Sequence, residues 1–140
     1  MMNHLSYKGL CPCCSNEQYD NCCKPFHLGS LPKNALSLMR SRYSAYFFHL
    51  ADYIVDTTHP NNTQYKKNQQ NWKKEIIFFC ENTSFEKLEI LDFSENKTIA
   101  YVSFIAHLKQ QERLVPLKEK STFEKVDNKW LYLHGEIYPT

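Results

Sequence analysis

The chain has 140 residues and a mass of 16.6 kDa, which suits one domain with a small appendage. A hydrophobic fraction of 42% excludes a wholly disordered chain, and a net charge of +2 gives little reason to expect nucleic acid as a partner. The sequence contains no apolar run of the roughly 18 residues that a membrane helix needs. The opening "MMNHLSYKGL" lacks the charged and apolar regions of a signal peptide, so we expect a cytoplasmic protein.

Residues 1–30 form a cysteine-rich head in which "CPCCSNEQYDNCCK" (11–24) holds five of the six cysteines. Five cysteines cannot all pair with one another, and a cytoplasm keeps thiols reduced. Four thiolates spaced C-x-C-x8-C-C can converge on one tetrahedral ion, and sulfur ligands in that geometry favour zinc. The sequence therefore predicts a zinc site formed by Cys11, Cys13, Cys22 and Cys23.

Two further residues could enter this ligand set. Cys14 could substitute for Cys13, and His27 lies four residues after Cys23 and could replace it. A packing or solvated role is the alternative interpretation of His27. Redox-active or inert thiols are the alternative to a metal site.

Residues 31–140 are predicted to form the main domain, with helices first. Asn34 can cap a helix that runs to about His49, "LADYIVDTTHP" predicts a short second helix, and a third is expected from about Thr63. The lysines of the third helix fit a solvated face better than a nucleic-acid contact. They are Lys66, Lys67, Lys73 and Lys74.

The hydrophobic period changes to two after the third helix. Four strands are predicted, at 85–94, 97–109, 113–126 and 129–138. Helices followed by an antiparallel meander predict an α+β fold with helices packed on one curved sheet. The predicted core contains Met39, Tyr43, Phe47, Trp72, Val102, Phe104 and Trp130.

Two stretches of the sequence carry a family resemblance. "CPCCSNEQYDNCC" resembles the SEC-C motif, the zinc knuckle at the C-terminus of the SecA translocation ATPase, although the position after "CPC" is commonly glycine and here is Cys14. "MRSRY", "ADYI" and "HP" within residues 38–60 resemble the opening of the middle domain of YchJ-type proteins, and "EKSTF" and "KWLYLHGE" extend the match. That family joins SEC-C knuckles to a domain resembling nuclear transport factor 2.

The resemblance implies a cone-shaped, cystatin-like or nuclear transport factor 2-like domain whose helices close over the concave face of the sheet and leave a pocket. The candidate pocket residues are Arg40, Arg42, Tyr43, His59, Glu119 and Ser121. Arg40 falls inside the apolar stripe of the first helix, and an unpaired buried charge is costly. We therefore expect Arg40 to pair with Glu119 or another carboxylate.

The resemblance also implies two kinds of function. The knuckle of the translocation ATPase contacts the export chaperone SecB, which suggests a protein-docking role and a protein partner for this zinc head. The alternative is a small enzyme or a ligand-binding protein that uses the pocket for a small molecule. No Asp-His or Cys-His spacing identifies a catalytic residue, so the sequence favours a non-catalytic role.

Overall fold

The computed structural model of the chain describes residues 3–140. Within them, a head with one short helix precedes three further helices and an antiparallel sheet. The helices are α1 (Lys24–His27), α2 (Ala35–Phe47), α3 (Ala51–Asp56) and α4 (Gln69–Glu81), and the strands are β1 (Ser84–Glu95), β2 (Ile99–Gln110), β3 (Arg113–Leu114), β4 (Leu117–Val126) and β5 (Lys129–Tyr138). The predicted α+β fold is confirmed.

The sheet is an antiparallel meander with the strand order β1-β2-β4-β5. The two-residue strand β3 pairs only with the end of β2. Sequence periodicity predicts one strand over 113–126, but the structure divides it at Val115 and Pro116. Proline has no backbone N–H to donate to a neighbouring strand, which accounts for the interruption.

Helix α2 lies at the centre of the molecule. The Asn34 side chain accepts a hydrogen bond from the Ser37 N–H and caps the helix as predicted. The helix ends at Phe47 rather than at His49, whose φ of 61° is left-handed and ends the helical path. Its buried residues are Ala35, Leu38, Met39, Ser41, Arg42, Tyr43, Ser44 and Ala45. They occupy more than one face, so the single apolar stripe predicted from the sequence is too narrow.

Helix α4 begins at Gln69, six residues later than predicted. Asn68 caps it by accepting a hydrogen bond from the Asn71 N–H. The preceding segment forms a loop, in which the Asn62 side chain accepts from the Gln64 N–H and donates to the carbonyl of Leu133. A local bond of the first kind competes with helix formation, which explains the later start.

Two groups of buried side chains form the core. One combines three cysteines and Tyr19 of the head with α2 and the concave face of the sheet, and the other joins α2, α3 and α4 around Trp72. Six of the seven predicted core residues are buried, and Phe47 is half-buried. Within residues 3–140, no helix has the length and hydropathy required to cross a membrane.

Candidate functional sites: a cysteine cluster and a cavity

The cysteine-rich segment folds back on itself as a small knuckle. The Cys11 N–H donates to the carbonyl of Glu17, and the Tyr19 N–H donates to the carbonyl of Gly9. A tight turn at the tip is closed by the Cys14 N–H, which donates to the carbonyl of Cys11. These bonds bring the first two cysteines close to the Cys22–Cys23 pair, which immediately precedes α1.

The structure brings four sulfur atoms together. The Sγ atoms of Cys11, Cys13, Cys22 and Cys23 all lie within 4.8 Å of one another. The Cys13–Cys22 distance is 3.6 Å and the Cys22–Cys23 distance is 3.9 Å. Sulfurs bound to one tetrahedral zinc at about 2.3 Å would be about 3.8 Å apart. The spacing and the chemistry of the donors therefore fit a metal ion held by four thiolates.

Polar groups around the cluster point donors at the sulfurs. The Ser44 hydroxyl of α2 lies 3.4 Å from Cys11 Sγ, and the Ser15 hydroxyl lies 3.1 Å from Cys22 Sγ. Ser15 accepts a bond from the Glu17 N–H, which leaves its own hydrogen free for the sulfur. Donors of this kind orient metal ligands and stabilise their negative charge.

Contact between the sulfurs separates the thiol pKa values. Hydrogen bonding with Cys11, and to a smaller extent with Cys22 and Cys23, lowers the pKa of Cys13. Hydrogen bonding with Cys11 also lowers the pKa of Cys22 to about 7, although bonding with Cys13 acts in the opposite direction. Hydrogen bonding with Cys13 raises the pKa of Cys11, and bonding with Cys11 raises the pKa of Cys23. The four thiols cannot all ionise side by side without a cation. A divalent ion at the centre would remove this conflict.

Neither Cys14 nor His27 presents a ligand atom to this cluster. Cys14 has a left-handed φ of 65°, is exposed, and accepts a hydrogen bond at its sulfur from the Leu88 N–H of β1. His27 uses both ring nitrogens elsewhere, with Nδ1 2.6 Å from the Tyr19 hydroxyl and Nε2 2.8 Å from the Ser41 carbonyl. Burial lowers the pKa of His27 to about 4, so the ring is neutral at pH 7.

The predicted pairing of Arg40 with a carboxylate is wrong. Its Nη1 donates to the carbonyl of Cys13 at 2.7 Å and lies 4.0 Å from the sulfur of the same residue. Because the head packs against α2, Arg40 faces Cys13 of the knuckle, whereas Glu119 lines the cavity that Arg42 faces. Arg40 therefore places a positive charge beside the sulfur cluster.

The second candidate site is a cavity of about 570 Å³ between the helices and the concave face of the sheet. Its walls are largely aromatic and aliphatic. Four of the six candidate pocket residues line it, namely Arg42, Tyr43, Glu119 and Ser121. Arg40 and His59 do not.

Arg42 supplies a buried positive charge to the cavity. The side chain is only 8% exposed, and its Nη1 donates to the Ile54 carbonyl and to the hydroxyls of Thr57 and Thr58 at the end of α3. The guanidinium lies over the ring of Tyr132, 4.6 Å from its centroid. Of the two arginines of α2, Arg42 is the buried one.

Glu119 supplies a carboxylate to the same cavity. Its Oε2 accepts hydrogen bonds from the Ser121 hydroxyl and, at 2.9 Å, from the Tyr132 hydroxyl. Burial first and the neighbouring Glu119 second raise the pKa of Tyr132, which keeps that hydroxyl protonated as a donor. Gly135 makes room for this arrangement, because a Cβ at that position would collide with the Glu119 carboxylate and the Tyr132 hydroxyl.

Two histidines of the main domain, His59 and His107, make structural contacts. His59 Nε2 lies 2.7 Å from Glu124, and its Nδ1 accepts from the Asn61 N–H, so the residue packs and caps. His107 contacts Glu89 at 3.1 Å. His107 and His134 do not meet across the sheet, since His134 pairs with Thr122 and that residue with Tyr101, six residues from His107.

Sequence reasoning missed Tyr132 and undervalued Arg42. The small residues Ser41, Ser44 and Ala45 beside Arg42 were the available signal, because small side chains on a second face of a helix indicate close packing there. Tyr132 gave no comparable signal, since its place opposite Phe123 follows a register shift in β4–β5.

Comparison with known proteins matches both parts of the chain. A family model described as the middle, nuclear transport factor 2-like domain of YchJ matches residues 34–135. Among curated proteins, a UPF0225 protein of Pectobacterium carotovorum is 36% identical over 132 residues, covering 89% of this chain and 81% of that protein.

Two solved structures are similar over nearly the whole chain. The solution structure of a SEC-C motif containing protein from Rhodopseudomonas palustris has a TM-score of 0.79 and 30% identity, covering 99% of this chain and 100% of that one. The crystal structure of a SEC-C motif containing protein from Psychrobacter arcticus has a TM-score of 0.75 and 29% identity, covering 93% and 83%. Both similarities include the cysteine-rich head.

Proposed function

Because this chain belongs to the YchJ family of SEC-C motif proteins, we propose a function for it in two parts. The head binds one zinc ion, and the zinc-bound head docks onto another protein. The observation that carries the zinc part is the convergence of four cysteine sulfurs within 4.8 Å. Spacing in the sequence and distance in the structure support the same ligand set.

The zinc ion would have a structural role. Four thiolates fill a tetrahedral shell, whereas a catalytic zinc keeps one position open for water or substrate. Cys11, Cys13 and Cys23 are buried in the same core as α2, which removes the ion from solvent. Zinc would thus fix the head to the main domain and hold its outer surface in one conformation.

Exposed leucines on the head support the docking part. Leu5, Leu10 and Leu28 are 54%, 54% and 62% exposed, and Lys8 beside them reaches Asp20 at the surface. Interfaces need apolar side chains ringed by polar ones, and a head this small has few other means of binding a protein. The SEC-C resemblance makes an export chaperone such as SecB the first partner to test.

Site-specific photo-cross-linking in cells tests the docking role. A photoreactive amino acid at Leu28 should give a discrete cross-linked protein, identified by mass spectrometry, and Cys22→Ala should abolish the product. The matched control places the same probe at Leu114, which is 75% exposed on β3 outside the head. Equal products from Leu28 and Leu114, or a product that survives Cys22→Ala, would contradict zinc-dependent docking through the head.

A further inference from the structure

The cavity contains two buried charges without an ionic partner. Arg42 is 8% exposed and Glu119 is 9% exposed, yet among residues 3–140 neither has an oppositely charged side chain at ion-pair distance. Burying an ion without a counter-charge is costly, and proteins retain such groups mainly where they do something specific. Both groups line the same space.

Arg42, which lines the cavity, keeps unused hydrogen-bond donors. All its hydrogen bonds come from Nη1, so Nη2 and Nε have no acceptor in the part of the chain that the structure describes. A guanidinium holds five N–H groups in a planar fork that matches a carboxylate. The bonds to α3 and the Tyr132 ring fix the plane of the guanidinium before any ligand arrives.

Glu119 places a negative charge in the cavity, apart from the positive charge of Arg42. Its Oε2 is occupied by Ser121 and Tyr132, while Oε1 has no donor among the described residues. Tyr132 separates it from Arg42, because the guanidinium covers the ring and the carboxylate accepts from the hydroxyl at the ring's edge. An anion is therefore favoured beside Arg42 and a hydrogen-bond donor beside Glu119.

Apart from a polar rim, the remaining walls are apolar and rich in aromatic rings. They include Trp72, Ile76, Phe79, Phe85, Phe104 and Leu108. Phe79 and Phe85 lie edge to face at 5.9 Å, a geometry that a further ring can extend. The volume of about 570 Å³ is within the usual range for small-molecule sites.

We propose that the cavity binds a small aromatic carboxylic acid, with its carboxylate on Arg42, its ring among the aromatic side chains, and a hydroxyl donor directed at Glu119. The site lies outside the zinc head. It is assembled from α2, α4 and the concave face of the sheet, and the loop before α4 forms its rim through the ion pair of Lys66 with Glu75.

Fluorescence titration of the zinc-loaded full chain tests the proposal. Trp72 lines the cavity and Trp130 does not, so a Trp130→Phe background leaves one reporter inside the site. The probes are 3-(4-hydroxyphenyl)propanoate, its primary amide and octanoate. We expect the aromatic acid to bind about tenfold more tightly than its amide, because charge-assisted bidentate bonds are the stronger kind, and more tightly than octanoate.

Two variants locate the binding. Arg42→Lys keeps a donor for the end of α3 but removes the fork, so the acid should lose about tenfold in affinity and the amide should not change. Ala106→Met fills the cavity from β2 without touching either charge and should weaken binding of both aromatic probes. Zinc content should stay the same in both variants, which separates this result from the head. Absence of binding, equal affinity for acid and amide, tighter binding of octanoate, or full affinity in Arg42→Lys would overturn the proposal.

Discussion

The head and the cavity show opposite uses of polar groups. In the head, four thiols converge on one point that an ion of fixed size would occupy, the hydroxyls of Ser15 and Ser44 contact two of the sulfurs, and the Arg40 guanidinium lies beside a third. In the cavity, Arg42 and Glu119 use only part of their hydrogen-bonding capacity on the protein. A closed ligand shell suits a structural ion, whereas unused donors and acceptors around a volume suit a molecule that comes and goes.

The two regions also differ in how their loss would affect the fold. The head buries few apolar side chains apart from its cysteines and Tyr19, so its order should depend on the metal. The cavity lies between the sheet and the helices α2 and α4, which pack together without a ligand.

Cys22→Ala should remove zinc binding and unfold the head. With one thiolate missing, the remaining sulfurs form an incomplete shell, and we expect a loss of several kcal/mol in the free energy of unfolding. Hydrogen exchange should show lost protection in residues 3–28 and retained protection in β1, β2, β4 and β5. Cys14→Ala is the matched control and should keep both the zinc and the protection. Equal loss in both variants would show that the ligand set is wrong.

His27 should make the head sensitive to acid. Burial lowers its folded-state pKa to about 4 from an ordinary value of 6.5. The folded state therefore favours the neutral ring. Its contribution to the free energy of unfolding is complete above about pH 6.5 and is lost as the pH falls from 6.5 to 4. The size is about 2 kcal/mol, since partial exposure of the ring weakens the burial effect.

The matched variant for this titration is His27→Gln, which keeps a donor for the Ser41 carbonyl but does not titrate in this window. The wild type should lose more unfolding free energy than the variant between pH 6.5 and 4, and acid release of zinc is common to both. The ring itself can be followed by NMR. A midpoint near 6.5 would refute the buried, neutral assignment.

Gly135→Ala should destabilise the main domain by about 1 to 2 kcal/mol. The new methyl group would collide with the Glu119 carboxylate and the Tyr132 hydroxyl, so one of them must move. Chemical denaturation measures the effect. Adding Glu119→Ala should recover part of the loss, because that change removes the carboxylate from the collision. Additive losses would mean that the two positions do not touch.

Arg40→Met should weaken zinc binding about tenfold while leaving the head folded at saturating zinc. The guanidinium positions the Cys13 carbonyl and lies near the sulfur of the same residue. Mutation of residues that contact a metal ligand without binding the metal typically changes metal affinity 10- to 100-fold. Competition with a chromophoric chelator measures the affinity. Arg113→Met, on the exposed strand β3, removes the same charge elsewhere and should have no effect.

The cysteine cluster could be predicted from the sequence because its four ligands lie within thirteen positions, from Cys11 to Cys23. Over so short a segment, the spacing alone limits how far apart the sulfurs can lie. The strands could be predicted from their period of two. The cavity and four of its lining residues followed only from the family resemblance, and Tyr132 was missed, since the polar end of the cavity combines Arg42 of α2, Glu119 of β4 and Tyr132 of β5. Their meeting depends on strand register, including a shift between Thr122 and Phe123 that no local pattern indicates.

The error over Arg40 has a related cause. A helix at the edge of a domain has one buried stripe, and that assumption assigned Arg40 to the sheet side. Helix α2 instead lies between the head, the sheet and α3, so residues two positions apart face different partners. Arg40 meets the knuckle, and Arg42 meets the end of α3.

X-ray absorption at the zinc edge, on protein purified under reducing conditions, tests the central claim most directly. We predict one zinc per chain with four sulfur neighbours at about 2.3 Å and no nitrogen neighbour, and the same spectrum from Cys14→Ala. A shell of three sulfurs and one nitrogen would bring His27 into the site, and protein that binds no zinc under these conditions would contradict the account of the head.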